Sequence, residues 1–338
     1  MPKRFLGNIM TDAPTAPDGP FQDGAASGVW SLAEALSYTK GGLWPIAGSA
    51  APLGLFGGQL LGFTGAANVI QEIIISSEGN ATDFGDLTVS RGGNNALSSS
   101  TRAVFAAGYT GSAWSNVMDY VAIASSGNAT DFGNLLATNV NLAGSSNNTR
   151  GIWAGGSEAT SNTRYNVIQY ITIASVGNAT DFGDLTVARR AGEGLASSTR
   201  SISFAGGSGE SNANSNVLDY VTIATTGNAT DFGNLSAARK AVGAASSSTR
   251  GLFAGGNGHN NIEYVTIASV GNTSDFGDLT QSIGTSGTSS TVRAVFAHIS
   301  NNTIEYVTIS TLGNAADFGN STTSNGGAGC SSAHGGIS

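Results

Sequence analysis

The tripeptide Asp-Phe-Gly occurs six times, beginning at Asp83, Asp131, Asp181, Asp231, Asp275 and Asp317, at intervals of 42 to 50 residues. Each copy sits in a longer phrase, such as SNVLDYVTIATTGNATDFGNLSAARK from Ser215, YNVIQYITIASVGNATDFGDLTVARR from Tyr165 and NNIEYVTIASVGNTSDFGDLTQS from Asn260. Self-similarity at this period means that one supersecondary unit is stacked repeatedly, because a single unit cannot bury its apolar face alone. The repeat therefore decides the fold before any single residue does.

Four strand-like pieces are readable in each period. The first is small and apolar, as in Gly194-Leu195-Ala196-Ser197; the second follows a Thr-Arg pair, as in RSISFAGG at Arg200 and RGLFAGG at Arg250. The third is β-branched and aromatic, Val217 through Ala224, and the fourth runs from Asp231 to Leu235. Gly, Asn and Ser separate the pieces, which is strand-and-turn punctuation. Pairs such as Gly227-Asn228 take positive φ at little cost. Four strands per 40–50 residues fit the blade of a β-propeller. The first copy starts on its second strand, APLGLFGGQ from Ala51. The C-terminal GGAGCSSAHGGIS from Gly326 matches AVGAASSSTRGLF from Ala241, a first strand and the start of a second. The tail is thus expected to complete blade one and leave no open edge. Copies differ in length mainly after the glycine doublet, long after Gly155-Gly156 and Gly206-Gly207 and short after Gly255-Gly256. Length variation at one point of a repeat marks loops on one face, often the binding face.

The order of landmarks resembles kelch repeats: a glycine doublet, a tyrosine-bearing strand, an aromatic followed by leucine, then a basic residue. Gly206, Gly207, Tyr220, Phe232, Leu235 and Arg239 hold these places in the fourth copy. Kelch repeats usually carry Trp where this chain has Phe232. The expected fold is all-β: a six-bladed kelch-like β-propeller over residues 51–338, preceded by a short N-terminal arm and helix. Phe84, Phe132, Phe182, Phe232, Phe276 and Phe318 are expected to pack between blades. Asp83, Asp131 and their counterparts are expected to accept turn hydrogen bonds. Arg102, Arg150, Arg200, Arg250 and Arg293, which recur at the start of strand two, are expected to pair with blade aspartates rather than line a face.

Residues 1–50 lie outside the repeat. The first 28 are rich in Pro, Gly, Asp and Ala and have no hydrophobic period, so they read as an extended arm. Ser31 and Glu34 form a capping-box pattern that predicts a short helix over about 31–40, ended by Gly41-Gly42. A helix this short needs something to pack on. Trp30, Leu32, Leu36 and Trp44 have no blade position to fill and are the expected docking residues for a partner.

Charged residues make up 11% of the chain, with a net charge of −8, against about 25% charged in ordinary soluble domains. No basic stripe exists, so neither nucleic acid nor an anionic membrane surface is expected as a partner. No apolar run is long enough to span a bilayer, and membrane insertion is not expected. The N-terminal residues lack the apolar region of a secretory signal, so export by that route is not expected. The lone Cys330 excludes an intrachain disulfide and reads as a small buried thiol. No cofactor motif is present, and no cofactor is expected.

Two phrases carry a second resemblance. GVWSLAEALSYTKGGLWP from Gly28 is similar to a tryptophan-bounded phrase of virion proteins of marine bacteriophages, cyanophages especially, and GNATDFGDLTVAR resembles repeats in such proteins. The resemblance implies a virion location, as a tail-fibre-like or capsid-surface component. Its partners would be capsid or tail proteins or a second copy of this chain, and a host surface glycan. Tyr109, Trp114 and Tyr165, in the loops of the second and third copies, are the candidate sugar-stacking residues.

Other motifs weigh toward structure. Asp-Phe-Gly is also a metal-binding tripeptide of protein kinases, but a kinase needs its glycine-rich loop and catalytic loop as well. Asn80-Ala81-Thr82 and its copies match the glycosylation sequon and read as turn chemistry. Asp181 and Asp184 fall short of the six to eight oxygens calcium takes. A propeller-fold carbohydrate-active enzyme would need a carboxylate pair or metal set that breaks the repeat symmetry, and none is legible; the chain is not expected to be an enzyme. A cellular kelch-like scaffold is the other alternative, and it would lack the N-terminal phrase.

Overall fold

Each repeat becomes one antiparallel sheet of four strands, and six such sheets form among the described residues. The computed structural model describes residues 51–59, 66–158, 163–203, 213–323 and 326–337, together with Ala33, Leu36 and Ser37. Blade 2 shows the plan: Asn95–Ser98 innermost, then Arg102–Ala106, Val117–Ala122 and Thr130–Asn134 outward. The six innermost strands pack on one another in succession and close a ring. Blade 1 takes its innermost strand, Ala328–Ser331, from the C-terminus; Gly54 lies opposite Ser331 and Gly57 opposite Ala328. The expected closure is therefore present. The residues after Ser331 correct one detail, because Ser332 to Ile337 form turns and no second strand. Met1–Pro52 is a separate compact unit. Of it, Ala33, Leu36 and Ser37 have helical backbone, while Trp30, Leu32 and Trp44 lie outside the described residues.

The Asp-Phe-Gly motif is a clasp between blades. All six phenylalanines are buried, at 2–3% exposure. Five of them meet a tyrosine of their own blade edge-on, with ring centroids 5.9 to 6.2 Å apart, the arrangement the ring quadrupoles favour. The backbone around each Phe takes hydrogen bonds from the Gly-Asn-Ala turn of the next blade, or from Gly271-Asn272-Thr273 in the case of Phe232. Gly127 N donates to Phe84 O at 2.8 Å and Ala129 N to Asp86 O at 2.8 Å, while Asp86 N donates to Asn128 Oδ1 at 3.0 Å. The same set closes the ring, from Gly79 and Ala81 to Phe318 and Asn320, with Asn320 N donating to Asn80 Oδ1 at 3.0 Å. The motif's glycine is required twice over. Gly183 has φ 149°, and a Cβ there would overlap the Gly227 carbonyl. The Asp side chains, by contrast, are exposed, and the expected turn hydrogen bonds to them do not form among the described residues.

The recurring arginines also differ from expectation. Arg102, Arg150, Arg200, Arg250 and Arg293 do not pair with blade aspartates. Each places its Cζ 4.2 to 4.7 Å from the ring centroid of its own blade's tyrosine. Each also donates from Nη1 to an isoleucine carbonyl of the next blade at 2.7 to 3.2 Å. A planar cation stacks and donates at once, which suits a seam between two sheets.

Ionic pairing occurs at another repeat position. Asp119, Gln169, Asp219, Glu263, Glu305 and Gln71 occupy one place on the third strand. Each accepts the amide of the residue after the preceding blade's repeat leucine, or after Ser321 at that position. Where the acceptor is ionic, a buried cation accompanies it: Arg91 for Asp119, Arg189 for Asp219 and Arg239 for Glu263. At Glu305 the seam has Ile283 in the arginine's place, and His298 of the same blade lies 2.9 Å away instead. Where the acceptor is neutral Gln169, the arginine position is neutral Asn139. At three seams a buried arginine thus meets a buried carboxylate, and at the seam of Asn139 and Gln169 both places are neutral, as burial demands.

Candidate functional site

The ring has two unlike faces and a narrow centre. One face carries the strand 1–2 turns and the Gly-Asn-Ala turns, and Leu53 begins blade 1 at this face, tied to Ser332. The opposite face carries the loops between strands two and three, the ones that vary in length. The repeat alternates strand direction, so every clasp turn falls on the first face and every variable loop on the second.

Small residues let the innermost strands approach closely at the centre. Ser98, Ser146, Ser246, Ser289 and Ser331 share one position, and each hydroxyl donates to a carbonyl of the neighbouring blade at 2.5 to 2.9 Å. Ala196 interrupts the series. The C-terminal turn covers this end of the centre. Gly335 N donates to Ser246 O at 3.0 Å. His334 Nε2 lies 3.1 Å from Ser98 O, and Gly336 N donates to His334 Nδ1 at 3.1 Å. A carbonyl accepts only, so Nε2 carries the proton and Nδ1 the lone pair; the ring is neutral. Burial pushes its pKa down to about 4, against the bond to Ser98 that favours the charged form.

Glu193 lies at the loop-face end of the same centre. Its carboxylate accepts from Asn95 Nδ2 of blade 2 at 3.0 Å, while Ala143 and Gly243 hold its place in blades 3 and 5. Burial pushes its pKa up to about 8, against the hydrogen bonds from Asn95 and the Gly194 amide. The side chain is a carboxyl that can hold or release a proton near neutral pH. The sequence reading missed it; its signal was a lone acid where other copies carry Asn, Ala, Gly or Ser. The cavity between Glu193 and His334 measures about 50 Å³, room for a few waters but far below the roughly 300 Å³ of a small-molecule pocket. Cys330 borders it as a buried thiol, its pKa pushed up to about 12 by burial.

On the loop face, Tyr109 and Trp114 are brought together. Their ring centroids are 5.0 Å apart at 46°, both rings are half-buried, and Tyr109 Oη donates to Gly111 O at 2.8 Å. They form a small aromatic platform stiffened by its own loop. Tyr165 lies in the next blade's loop, half-buried, its pKa raised by burial and by Glu158. Among the described residues no group of three or more His, Cys, Asp or Glu is placed to hold a metal. Nor is any helix there long and apolar enough to cross a membrane. The sequon asparagines use Oδ1 in the clasps described above, which refines the turn reading. No protein-family profile matches the chain, and no curated protein matches it.

Proposed function

We propose that this chain is a structural component of a bacteriophage virion, tail-associated or on the capsid surface, built as a kelch-like propeller. Residues 1–50 dock on a capsid or tail protein or on a second copy of the chain, through Trp30, Leu32, Leu36 and Trp44. The propeller presents its variable loops to a neighbouring protein or a host glycan, with Tyr109, Trp114 and Tyr165 as the stacking residues. The observation that carries this reading is the division of the ring into two faces. Leu53, the first residue of blade 1, lies on the uniform clasp face, and the loops that differ between copies lie opposite. A protein held at one face and reading at the other has this layout. The half-buried, pre-ordered Tyr109–Trp114 pair suits sugar stacking, because rigid aromatics lose little freedom on binding. Labelling intact virions with an antibody raised against the propeller tests the reading. Label on the particle surface is expected, and purified particles devoid of this chain contradict it.

A further inference from the structure

At five of the six blade seams the arginine that begins strand two donates to an isoleucine carbonyl of the next blade; at the seam from blade 1 to blade 2 that position is Leu53. The strand registers fix the equivalence. Leu53 faces Ile74 and Leu55 faces Glu72, as Arg102 faces Ala122 and Val104 faces Tyr120 in blade 2. Leu53 therefore stands in the arginine place and Glu72 in the tyrosine place. The acceptor remains: Ile123 O corresponds to the Ile173, Ile223, Ile267, Ile309 and Ile75 carbonyls that take a guanidinium N–H elsewhere. No described donor reaches it, although Ile123 is 2% exposed. At this seam lies a cavity of about 400 Å³, bordered by Leu53, Glu72, Ile74, Glu78, Thr82 and Ile123.

We infer that this cavity is a binding site for a guanidinium group, the arginine side chain of a protein partner, which takes the place that a strand-two arginine holds at the other seams and Leu53 holds here. The chemistry of the lining selects that group. The Ile123 carbonyl and the Glu72 carboxylate both accept, and a guanidinium offers donors in a fixed fork that satisfies the two together. Glu72 is partly buried, which pushes its pKa up, with Asp83 adding to the effect and a bond with Thr82 opposing it; a cation beside it removes that penalty. Glu78 adds a second carboxylate at the rim, already accepting from Tyr306 Oη at 2.6 Å. A lysine ammonium is a compact point charge and is the weaker guest. This inference stands apart from the virion reading, since it rests on the seam alone.

The test uses the full chain and two substitutions. Calorimetric titration with N-acetyl-arginine amide is expected to give saturable binding, with N-acetyl-lysine amide clearly weaker. Glu72→Gln is expected to weaken binding about tenfold, the scale of a charged hydrogen bond. Leu53→Arg restores the repeat and fills the cavity from within. It is expected to abolish binding and to raise Tm by about 2 °C or more. Saturable binding that survives Leu53→Arg would place the guest elsewhere and overturn the inference. So would the absence of binding to the natural chain together with an unchanged or lower Tm for Leu53→Arg.

Discussion

The Arg239 guanidinium lies 2.9 Å from the Glu263 carboxylate, with both side chains out of contact with water, and the pair joins blade 4 to blade 5. Glu263 also accepts from Ser236 and Thr273, and these bonds with Arg239 hold its pKa below the ordinary carboxylate value despite burial. Removing one partner leaves the other charge buried and unpaired. Arg239→Asn is therefore expected to cost about 3–5 kcal/mol. The chain contains its own neutral version of this seam, Asn139 with Gln169. The double variant Arg239→Asn, Glu263→Gln copies that seam and is expected to recover most of the loss. Denaturant melts of the two single variants and the double variant check the coupling; additive losses would contradict it.

The clasp makes a second prediction. Phe182→Ala is expected to cost about 3–5 kcal/mol, as for a buried aromatic. A cost below about 1 kcal/mol, the surface scale, would refute the packing described for the six phenylalanines. Gly183→Ala meets both a positive φ and the Gly227 carbonyl of the next blade. It is expected to destabilise by about 2 kcal/mol or more, although alanine is a small change by volume.

Blade number, strand number, the buried phenylalanines and C-terminal closure were legible in the sequence because each is written six times or completes a sixfold pattern. The partners of the arginines were not. Asp and Arg in one repeat suggest a pair by charge alone, but Arg102 stacks on Tyr120 of its own blade and reaches across the seam to the Ile173 carbonyl. Leu53 and Glu72 were hidden for the opposite reason. Each is an ordinary residue, and its meaning appears only when the strand register shows which residue it replaces. Glu193 was likewise one acid among many until its position at the ring centre was known.

His334 ties stability to acid pH. An unfolded histidine protonates near pH 6.5, whereas in the folded turn it stays neutral down to about pH 4. The unfolded chain therefore binds the extra proton between these values, and folding stability falls as pH drops from about 6.5 to 4, by as much as about 3 kcal/mol. His334→Gln keeps a donor for the Ser98 carbonyl and cannot titrate. Its stability is expected to fall less than that of the natural chain over this range. Parallel curves of Tm against pH would contradict the locked neutral ring.

Glu193 acts on the alkaline side. Its folded pKa, about 8, lies above the unfolded value near 4.3, so the folded state holds the proton over that interval. The stabilisation from the neutral carboxyl is complete below about pH 4 and is lost as pH rises through 8. Glu193→Gln is expected to equal the natural chain at low pH and to exceed it in Tm at pH 8 to 9. A variant less stable than the natural chain at pH 9 would show that the ionised carboxylate is wanted at the ring centre.

The proposed role is that of a propeller held on a particle by the residues that precede it. The direct measurement compares residues 51–338 with the full chain, by thermal unfolding and by incorporation into virions during assembly. Residues 51–338 are expected to fold with a Tm close to that of the full chain and to be missing from purified particles. Incorporation of residues 51–338 at the level of the full chain would contradict it.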